Sequence, residues 1–368
     1  MCGIFGFVAN GSRSSGLAYS ELTKGLELIR HRGPDGTGQW VSPDARVGLG
    51  HVRLSIIDVE TGAQPMHSED GRYTIIYNGE VYNYIELRNE LGADTFRAHS
   101  DTEVILRAFQ RWGADCVNHL RGMFAIAIWD MAEQKLFFAR DRFGIKPLYW
   151  AKTSVGLYFA SEVKALLPFL DERKVNSSGL SDYFTFQFCL GEKTLMEGVK
   201  QFPAAHYAVI APTKVPQPKR YWDVHYKIDY DHKETWFTER LFDLMQDSVR
   251  VHLRSDVEVG SYVSGGLDSS LVASLAREIR PDGKFQAFNG RFLDSIDFDE
   301  SRYAKVLADE QNMLLHVANV SENGFVENIS KVIWHLDQPV AGPGSFPQYM
   351  ALKKVGAHIK VVLGGPGG

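Results

Sequence analysis

The stretch Ser264-Gly265-Gly266-Leu267-Asp268-Ser269-Ser270 stands between a strand-like run, Val257–Val263, and a helix-like run, Ser269–Ile279. Strand, glycine-rich turn and helix in that order bring main-chain amides and a helix N-terminus to one point, which is an arrangement that binds phosphate. The glycines allow close approach, the serines can donate hydroxyl hydrogen bonds, and Asp268 can hold Mg²⁺ bridging phosphate oxygens. No Lys follows, so this is not the Gly-x4-Gly-Lys loop. A plain tight turn is the alternative at this point.

Outward from the loop, strand and helix alternate. Downstream come Phe285–Phe288, a helix near Glu300–Glu310, the strand Leu314–Val317, helices around Phe325–His335 and Gln348–His358, and the strand Ile359–Leu363. Upstream, from about Trp236, Phe237, Leu241, Leu244, Met245 and Val249 recur at helical spacing. This alternation predicts βαβ units and a parallel sheet. The last strand runs into Gly364-Gly365-Pro366-Gly367-Gly368 without the covering helix such a strand normally leads into, so the domain is expected to continue further.

The first half reads differently. Ile4–Val8, Val47–Ile57, Tyr73–Tyr77, Phe124–Trp129, Lys135–Ala139 and Leu148–Trp150 are β-branched or aromatic runs punctuated by Gly and Asp, as at Asn78-Gly79. Helices are expected over about Asn83–Leu91 and about Thr102–Trp112, the second behind Ser100-Asp101-Thr102-Glu103, a capping box. Strands with few helices predict a layered α+β or sandwich architecture. Pro212, Pro216 and Pro218 and many charges mark a linker, giving domains over 1–211 and 236–368 joined by 212–235.

The 368 residues are 44% hydrophobic and 23% charged, with a formal net charge of −5, which excludes collagen-like, disordered and disulfide-scaffold classes. The acidic balance, with a pI near 6.2, argues against a nucleic-acid surface dominated by phosphate contacts. No apolar run approaches the ~20 residues of a membrane span, and no signal peptide is expected. Cys2, Cys116 and Cys189 are widely spaced with no CxxC pair, which fits a reduced cytoplasm. The histidines show no HExxH or comparable metal spacing.

Several residues in the first half could carry chemistry. Cys2 is either a small buried thiol or, once Met1 is removed, an N-terminal nucleophile. Its own amine, with a pKa of ~7.7–8.0, would then take the thiol proton. Arg53 is a surface strand residue or a fork for a substrate carboxylate. Asn78-Gly79 is a hairpin turn or a pair of donors to a developing oxyanion. Asp101 caps a helix or receives a substrate ammonium.

Taken in order, Met1-Cys2-Gly3-Ile4, Arg32-Gly33-Pro34-Asp35, Arg53-Leu54-Ser55-Ile56, Tyr77-Asn78-Gly79-Glu80, Ser100-Asp101-Thr102-Glu103, Asp141–Tyr149, Ala160-Ser161-Glu162 and Ser264–Ser270 resemble the signatures of the glutamine-dependent asparagine synthetases and their relatives. The resemblance covers nearly the whole chain. It implies an α+β N-terminal-nucleophile (Ntn) sandwich of two antiparallel sheets between helical layers. A parallel-sheet α/β ATP-pyrophosphatase domain, adenine nucleotide alpha hydrolase-like, would follow.

By that resemblance Cys2 attacks the side-chain amide of glutamine and releases ammonia, with Asn78 and Gly79 holding the oxyanion. Arg53, Leu54, Ser55, Ile56 and Ile57 hold the glutamine carboxylate, and Glu80 and Asp101 its ammonium. Ser264, Gly265, Gly266, Asp268 and Ser269 bind the pyrophosphate of ATP, with Mg²⁺ at Asp268. Tyr262 and Asn289 border the adenine, and Gly364 and Gly365 lie near the α-phosphate or ribose. The second domain adenylates an acceptor carboxylate, aspartate first of all, and ammonia displaces AMP. The implied partners are these small molecules, with no nucleic acid and no membrane; a homodimer is compatible with the reading.

The departures fall on the acceptor half. Pro366 takes the place of a glutamate of the family, a further magnesium-holding Asp would lie beyond residue 368, and Asp337-Gln338-Pro339 replaces Asp-Glu-Pro. The competing expectations are the same machinery on another carboxylate (a peptide or secondary metabolite), a ring-closing relative, and a non-catalytic relative. Intact Cys2, Arg53, Asn78 and Asp101 argue against ring closure.

Overall fold

Residues 1–293, 299–339 and 344–365 are described by the computed structural model, and the chain divides into two units, Met1–His225 and Tyr226–Gly368. In chain order the first unit holds β1 (Gly3–Ala9), α1 (Ser15–Leu28), β2 (Gly36–Val41), β3 (Val47–Arg53), β4 (Met66–His67), β5 (Tyr73–Val81), α2 (Tyr84–Leu91), α3 (Asp101–Trp112) and α4 (Cys116–His119). Then follow β6 (Gly122–Asp130), β7 (Lys135–Arg140), β8 (Tyr149–Lys152), β9 (Gly156–Ala160), α5 (Ser177–Phe186), β10 (Val199–Gln201), β11 (His206–Ile210) and β12 (Lys219–Arg220). The last of these falls inside the stretch expected as a linker and pairs with β11.

Two antiparallel sheets form, β10-β8-β9-β1-β3-β2 and β12-β11-β7-β6-β5-β4. Period two explains how they stack. Ile4, Val8, Val47, Leu49 and Phe159 of the first sheet meet Ile76, Ala127, Trp129 and Phe138 of the second in one buried core. Phe5, Phe7 and Val52 face the other way, onto Leu22 and Leu26 of α1. Ile75, Tyr77 and Val81 pack against Val104, Ile105 and Ala108 of α3. The order helix, sheet, sheet, helix is the layered sandwich expected. Each fully buried Phe or Leu contributes ~1.5–3 kcal/mol, so the central layer can carry buried polar groups at its end.

Three local expectations change. The strand from Val47 stops at Arg53 instead of Ile57, because side chains take over the next backbone groups: Cys2 Sγ engages Leu54 and the Asp35 carboxylate accepts from the Ser55 amide at 2.8 Å. Asn78-Gly79 is no turn; both residues pair inside β5, opposite Ala125 and Phe124. Gly79 is needed for close approach, since a Cβ there would lie 2.1 Å from the Met123 carbonyl oxygen. The Ser100 hydroxyl caps α3 by accepting from the Glu103 amide at 3.4 Å, but the Glu103 carboxylate accepts from the Arg97 and Ala98 amides, so the box is not reciprocal.

The second unit contains α6 (Glu234–His252), β13 (Val259–Tyr262), α7 (Leu267–Ile279), β14 (Phe285–Phe292), α8 (Ser301–Glu310), β15 (Met313–Val320), α9 (Glu322–Leu336), α10 (Ser345–Val355) and β16 (Val361–Leu363). All its strand pairs are parallel, in the order β15-β14-β13-β16. Ala287 packs with Ala273 and Ala304 of α7 and α8, while its neighbour Phe288 packs with Val355 and Ile359. Both faces are thus covered, as a parallel sheet requires. The strand order reverses between β13 and β16, and ligands of such sheets bind outside the strands' carboxyl ends at that point.

Candidate active site

The layer between the two sheets of the first unit ends in polar residues. Stepping by two from Ile4, from Leu49 and from Ile76 gives Cys2, then His51 and Arg53, then Asn78 and Glu80. His51 ties the sheets together, with Nε2 donating to the Tyr77 carbonyl at 3.1 Å. Burial lowers its pKa to about 3, so the ring stays neutral.

Cys2 Sγ donates to the Leu54 carbonyl at 3.6 Å and accepts from the Leu54 amide at 3.4 Å. Burial raises the thiol's pKa. Burial also lowers the adjacent α-amine of Met1 to about 5. The Cys2 carbonyl is held from behind by Arg32 Nε at 2.9 Å. Arg32 Nη1 in turn lies 2.6 Å from Glu162, which also meets His31 at 3.1 Å and Lys164. Burial alone would raise the Glu162 carboxyl; the His31 bond, the Arg32 charge and the Lys164 bond bring it down to about 2.

Cys2 opens onto a small cleft, about 320 Å³ of empty space with the open solvent at its mouth included. Of the residues expected from sequence, Cys2, Arg53, Leu54, Ile56, Ile57, Gly79, Glu80 and Asp101 line it together. Ser55 and Asn78 are buried and are not among its lining residues. Arg53 shapes the wall as well as lining it, because its guanidinium donates to the carbonyls of Ile57, Asp58 and Val59. Both side-chain heteroatoms of Asn78 are buried and without a hydrogen-bond partner, a state that native proteins seldom tolerate without a ligand or catalytic reason.

Two carboxylates also line the cleft. Asp101 accepts from the Tyr77 hydroxyl at 2.9 Å and the Val81 amide at 3.0 Å. Burial raises it to about 6 against those bonds. Glu80 is pushed well above the usual carboxylate range by burial and by the Asp101 charge.

Sequence reasoning missed Gly62, Gln64, Tyr77, Ser100 and Thr102 in the lining. Tyr77, Ser100 and Thr102 stand inside motifs already quoted, one residue from an assigned position, so a signal was available. Gln64 had none. Its role is spatial: Oε1 accepts from the Tyr77 amide at 2.7 Å and Nε2 donates to Thr102 at 3.1 Å, joining β5 to α3.

In the second unit the residues expected around a nucleotide also converge. Ser264 Oγ lies 2.9 Å from Ser269 Oγ, and the Ser264 amide donates to that hydroxyl at 3.1 Å. Gly265 has φ +105°, and a Cβ there would sit 2.6 Å from the Glu300 carbonyl oxygen. Gly266 is the N-cap of α7 and supplies no side chain to cap it, so the first-turn amides are open to water or to an anion. Gly365 follows β16 closely enough to α7 that its Cβ would lie 2.8 Å from the Ser269 nitrogen. Gly364 stands between β16 and Gly365, while Tyr262 ends β13 half-buried. Asn289 Nδ2 donates to the Val263 carbonyl at 2.8 Å, and its Oδ1 is buried without a partner.

These groups fit a phosphate, and Asp268 is exposed in the first turn of α7. Among the described residues no group of three or more His, Cys, Asp or Glu could hold a metal ion, so a cation at Asp268 would complete its oxygen ligands with phosphate and water. Pro366 lies outside the described residues. Among those described, no helix is long and apolar enough to cross a membrane.

Comparison with known proteins matches residues 1–222 to a glutamine amidotransferase domain and residues 240–368 to an asparagine synthase domain. Over 375 residues the chain is 38% identical to the glutamine-hydrolyzing asparagine synthetase 1 of Bacillus subtilis (strain 168), covering all of this chain and 58% of that protein. It is 34% identical to a protein named amidase chry2 from Gibberella zeae, again over all of this chain and 58% of the other. A putative glutamine-hydrolyzing asparagine synthetase 2 of Methanocaldococcus jannaschii is 33% identical, and the chain covers 74% of it. The chain thus spans under two thirds of the length of the first two relatives.

Proposed function

Since this chain belongs to the family of glutamine-hydrolysing asparagine synthetases, we propose that it moves the amide nitrogen of glutamine onto a carboxylate activated by ATP. One observation carries the reading. A cysteine thiol shares a cleft with one guanidinium and two carboxylates, the charge pattern that complements a free α-amino acid with a reactive side chain.

In this reading Met1 is removed and the Cys2 amine takes the thiol proton. The thiolate attacks the glutamine side-chain carbon, the C–N bond breaks, and ammonia leaves with the transferred proton. Water then hydrolyses the thioester to glutamate. The Gly79 amide and Asn78 Nδ2 stabilise the oxyanion, each donor being worth about 10²–10³ in rate. Arg53, with the backbone of Leu54–Ile57, holds the substrate carboxylate, and Glu80 and Asp101 receive the ammonium.

The second unit would bind ATP through Ser264, Gly265, Gly266 and Ser269. Tyr262 and Asn289 would border the adenine, and Gly364 and Gly365 the α-phosphate or ribose. Mg²⁺ held by Asp268 would neutralise charge on the leaving pyrophosphate. The acceptor carboxylate attacks the α-phosphorus, pyrophosphate leaves, and ammonia displaces AMP to form the amide. Ammonia reacts productively only where water is kept from the activated acid. The division of labour is a glutaminase domain over 1–211 and a synthetase domain from 236 onward, in the cytoplasm. Aspartate is the acceptor proposed first. The replacement at Pro366 and the amidase name of one relative favour a second class, a peptide or secondary-metabolite carboxylate.

The test mixes full-length protein with amide-¹⁵N glutamine, MgATP and aspartate and reads the products by mass spectrometry. Labelled asparagine with AMP is the expected result. Glutamate and ammonia alone would sink aspartate as acceptor and leave the glutaminase half standing.

A further inference from the structure

Strand β5 lies beside β6 along its whole length but beside β4 only at its start. In an antiparallel pair every second residue turns its N–H and C=O to the partner strand, and the residues between turn theirs to the other edge. Phe124 of β6 bonds to Asp141 through both its amide, at 3.1 Å, and its carbonyl, at 2.9 Å. Gly79, which stands opposite Phe124, therefore turns its own amide away from β6. Tyr73, Tyr77 and Val81, two or more even steps from Gly79, share that outer edge. There β4 pairs with β5 through Met66 and His67, opposite Ile75 and Thr74, and the Tyr73 amide is met by Ser68 Oγ at 2.8 Å.

Beyond β4, side chains take over the outer edge. The main chain at Gln64 has left β5 for the other sheet, since a Cβ on Gly38 of β2 would lie 1.9 Å from the Gln64 carbonyl oxygen. The buried Gln64 side chain reaches back. Its Oε1 accepts from the Tyr77 amide at 2.7 Å, and its Nε2 donates to the Thr102 hydroxyl on α3 at 3.1 Å. An acceptor on an N–H and a donor on a hydroxyl fix which way the amide points. The Tyr77 carbonyl is taken by His51 Nε2 at 3.1 Å, and the Val81 amide by the Asp101 carboxylate at 3.0 Å. Tyr77 and Val81 are thus capped on either side of Gly79, which lines the cleft with Cys2. Had β4 run on as a strand, its next carbonyl would have met the Gly79 amide. One side-chain amide satisfies Tyr77 and ends the ladder there, so that the following N–H on the edge stays open to a ligand.

We propose that Gln64 is a positioning residue of the oxyanion site: by ending the β4–β5 ladder at Tyr77, and anchored on Thr102, it keeps the Gly79 amide open and aimed at the oxygen of the acyl group on Cys2. The inference rests on the reading of the cleft as a glutamine site. Gln64 acts through the Tyr77 peptide, and Thr102 acts through Gln64. An amide turned off its aim weakens the transition state, where charge develops on that oxygen. The ground state, in which glutamine is held by its carboxylate and ammonium, loses little.

The test is steady-state glutamine hydrolysis by the full-length protein, for Gln64→Met, Thr102→Val and the Gln64→Met/Thr102→Val double variant. Rates are counted per Cys2 thiol labelled to completion by a glutamine-derived diazoketone, so that loss of folded protein does not register. Gln64→Met is expected to lower kcat about tenfold with KM within about twofold of the parent. Thr102→Val keeps the shape of the side chain and removes the acceptor for Gln64, and is expected to lower kcat about threefold. In the Gln64→Met background it lowers kcat no further. An unchanged kcat in Gln64→Met, a KM that rises while kcat holds, or an equal effect of Thr102→Val in both backgrounds overturns the inference. If Gln64→Met fails to fold, Thr102→Val decides: a lowered kcat at the parent KM supports the inference, and an unchanged kcat overturns it. Absence of glutamine turnover in the parent chain overturns the site reading and this inference together, whereas parent turnover with unchanged kcat in the variants overturns the inference alone.

Discussion

The two candidate sites are built on opposite plans. Around Cys2 the polar groups are side chains, and they are buried: Asn78, Asp101, Lys146 and Glu162 are each no more than 5% exposed. Burial and close charge displace their acidities in both directions, with Asp101 at about 6 and Glu162 at about 2. Around Ser264 the groups are amides and hydroxyls, with Asp268 exposed and its neighbour Leu267 83% exposed. The first site is organised before its ligand arrives, and the sandwich core beneath it offsets the desolvation. The second is an open helix terminus that a ligand completes. Substitutions of the first site's hydrogen-bonded groups, such as Asp101 and Glu162, should therefore disturb stability as well as chemistry, whereas the unpaired Asn78 and the groups of the second site should lose chemistry alone.

The largest effects come from reciprocal knock-outs. Cys2→Ala should reduce glutamine-dependent amide formation by more than about 10³-fold while free ammonia still supports it, because only the nucleophile is lost. Asp268→Ala should remove ATP-dependent pyrophosphate release and leave glutamine hydrolysis largely intact, with Tm within about 2 °C of the parent, as expected for an exposed side chain. Product analysis with each nitrogen donor, beside a thermal melt, checks both. Loss of hydrolysis in Asp268→Ala would break the contrast by tying the open loop to the buried cleft.

Asn78→Ala sharpens it. Removing one oxyanion donor should lower kcat by about 10²–10³ with little change in KM. A buried amide with both heteroatoms unpaired costs ~1–3 kcal/mol, so truncation relieves about what the small cavity adds. The folded state should be unchanged within ~1 kcal/mol, as measured by denaturant unfolding. A loss of several kcal/mol would show that Asn78 serves the fold and not the reaction.

Sequence made the parallel sheet legible almost throughout, because each element there carries one periodicity and the turns after β13 and α7 carry glycine. The sandwich was legible in its long strands and in helices α2 and α3. Helix α1 was missed although Ala18, Leu22, Gly25 and Leu26 recur at helical spacing behind Ser14, since two glycines and a weakly apolar face mask it. Asn78-Gly79 misled because the dipeptide's turn preference is local, whereas the close approach of Met123 that demands the glycine is not. The assigned cleft residues lay in motifs, so resemblance located them. The support behind them did not read from sequence: Glu162 reaches Cys2 through Arg32, and Gln64 joins two elements by its amide, contacts that exist only after the layers stack.

The smallest effect expected is the most specific to the buried site, and it is a pH dependence with two signs. Asp101 must be ionised to receive an ammonium, and burial places its folded pKa at about 6. Below that, kcat/KM for glutamine should fall by about tenfold per pH unit. The stability term runs the other way. A carboxyl whose folded pKa lies above its unfolded value of ~3.9 contributes stability that is fully present below that value and lost as pH rises through about 6. Glu162 is the converse case, holding its contribution above its unfolded value of ~4.3 and losing it only as pH falls toward about 2. Between pH 7 and pH 5 the Asp101 contribution therefore firms the fold while the same proton removes the charge that captures substrate. Parallel measurement of KM and Tm at pH 7, 6 and 5 separates the two. Tm falling together with kcat/KM would mean that acid acts by unfolding, and the buried carboxylates would lose the role assigned to them here. Amides and hydroxyls do not titrate in this range, so ATP-dependent turnover driven by ammonia should lack this limb once each rate is divided by the concentration of unprotonated ammonia, which itself falls with pH.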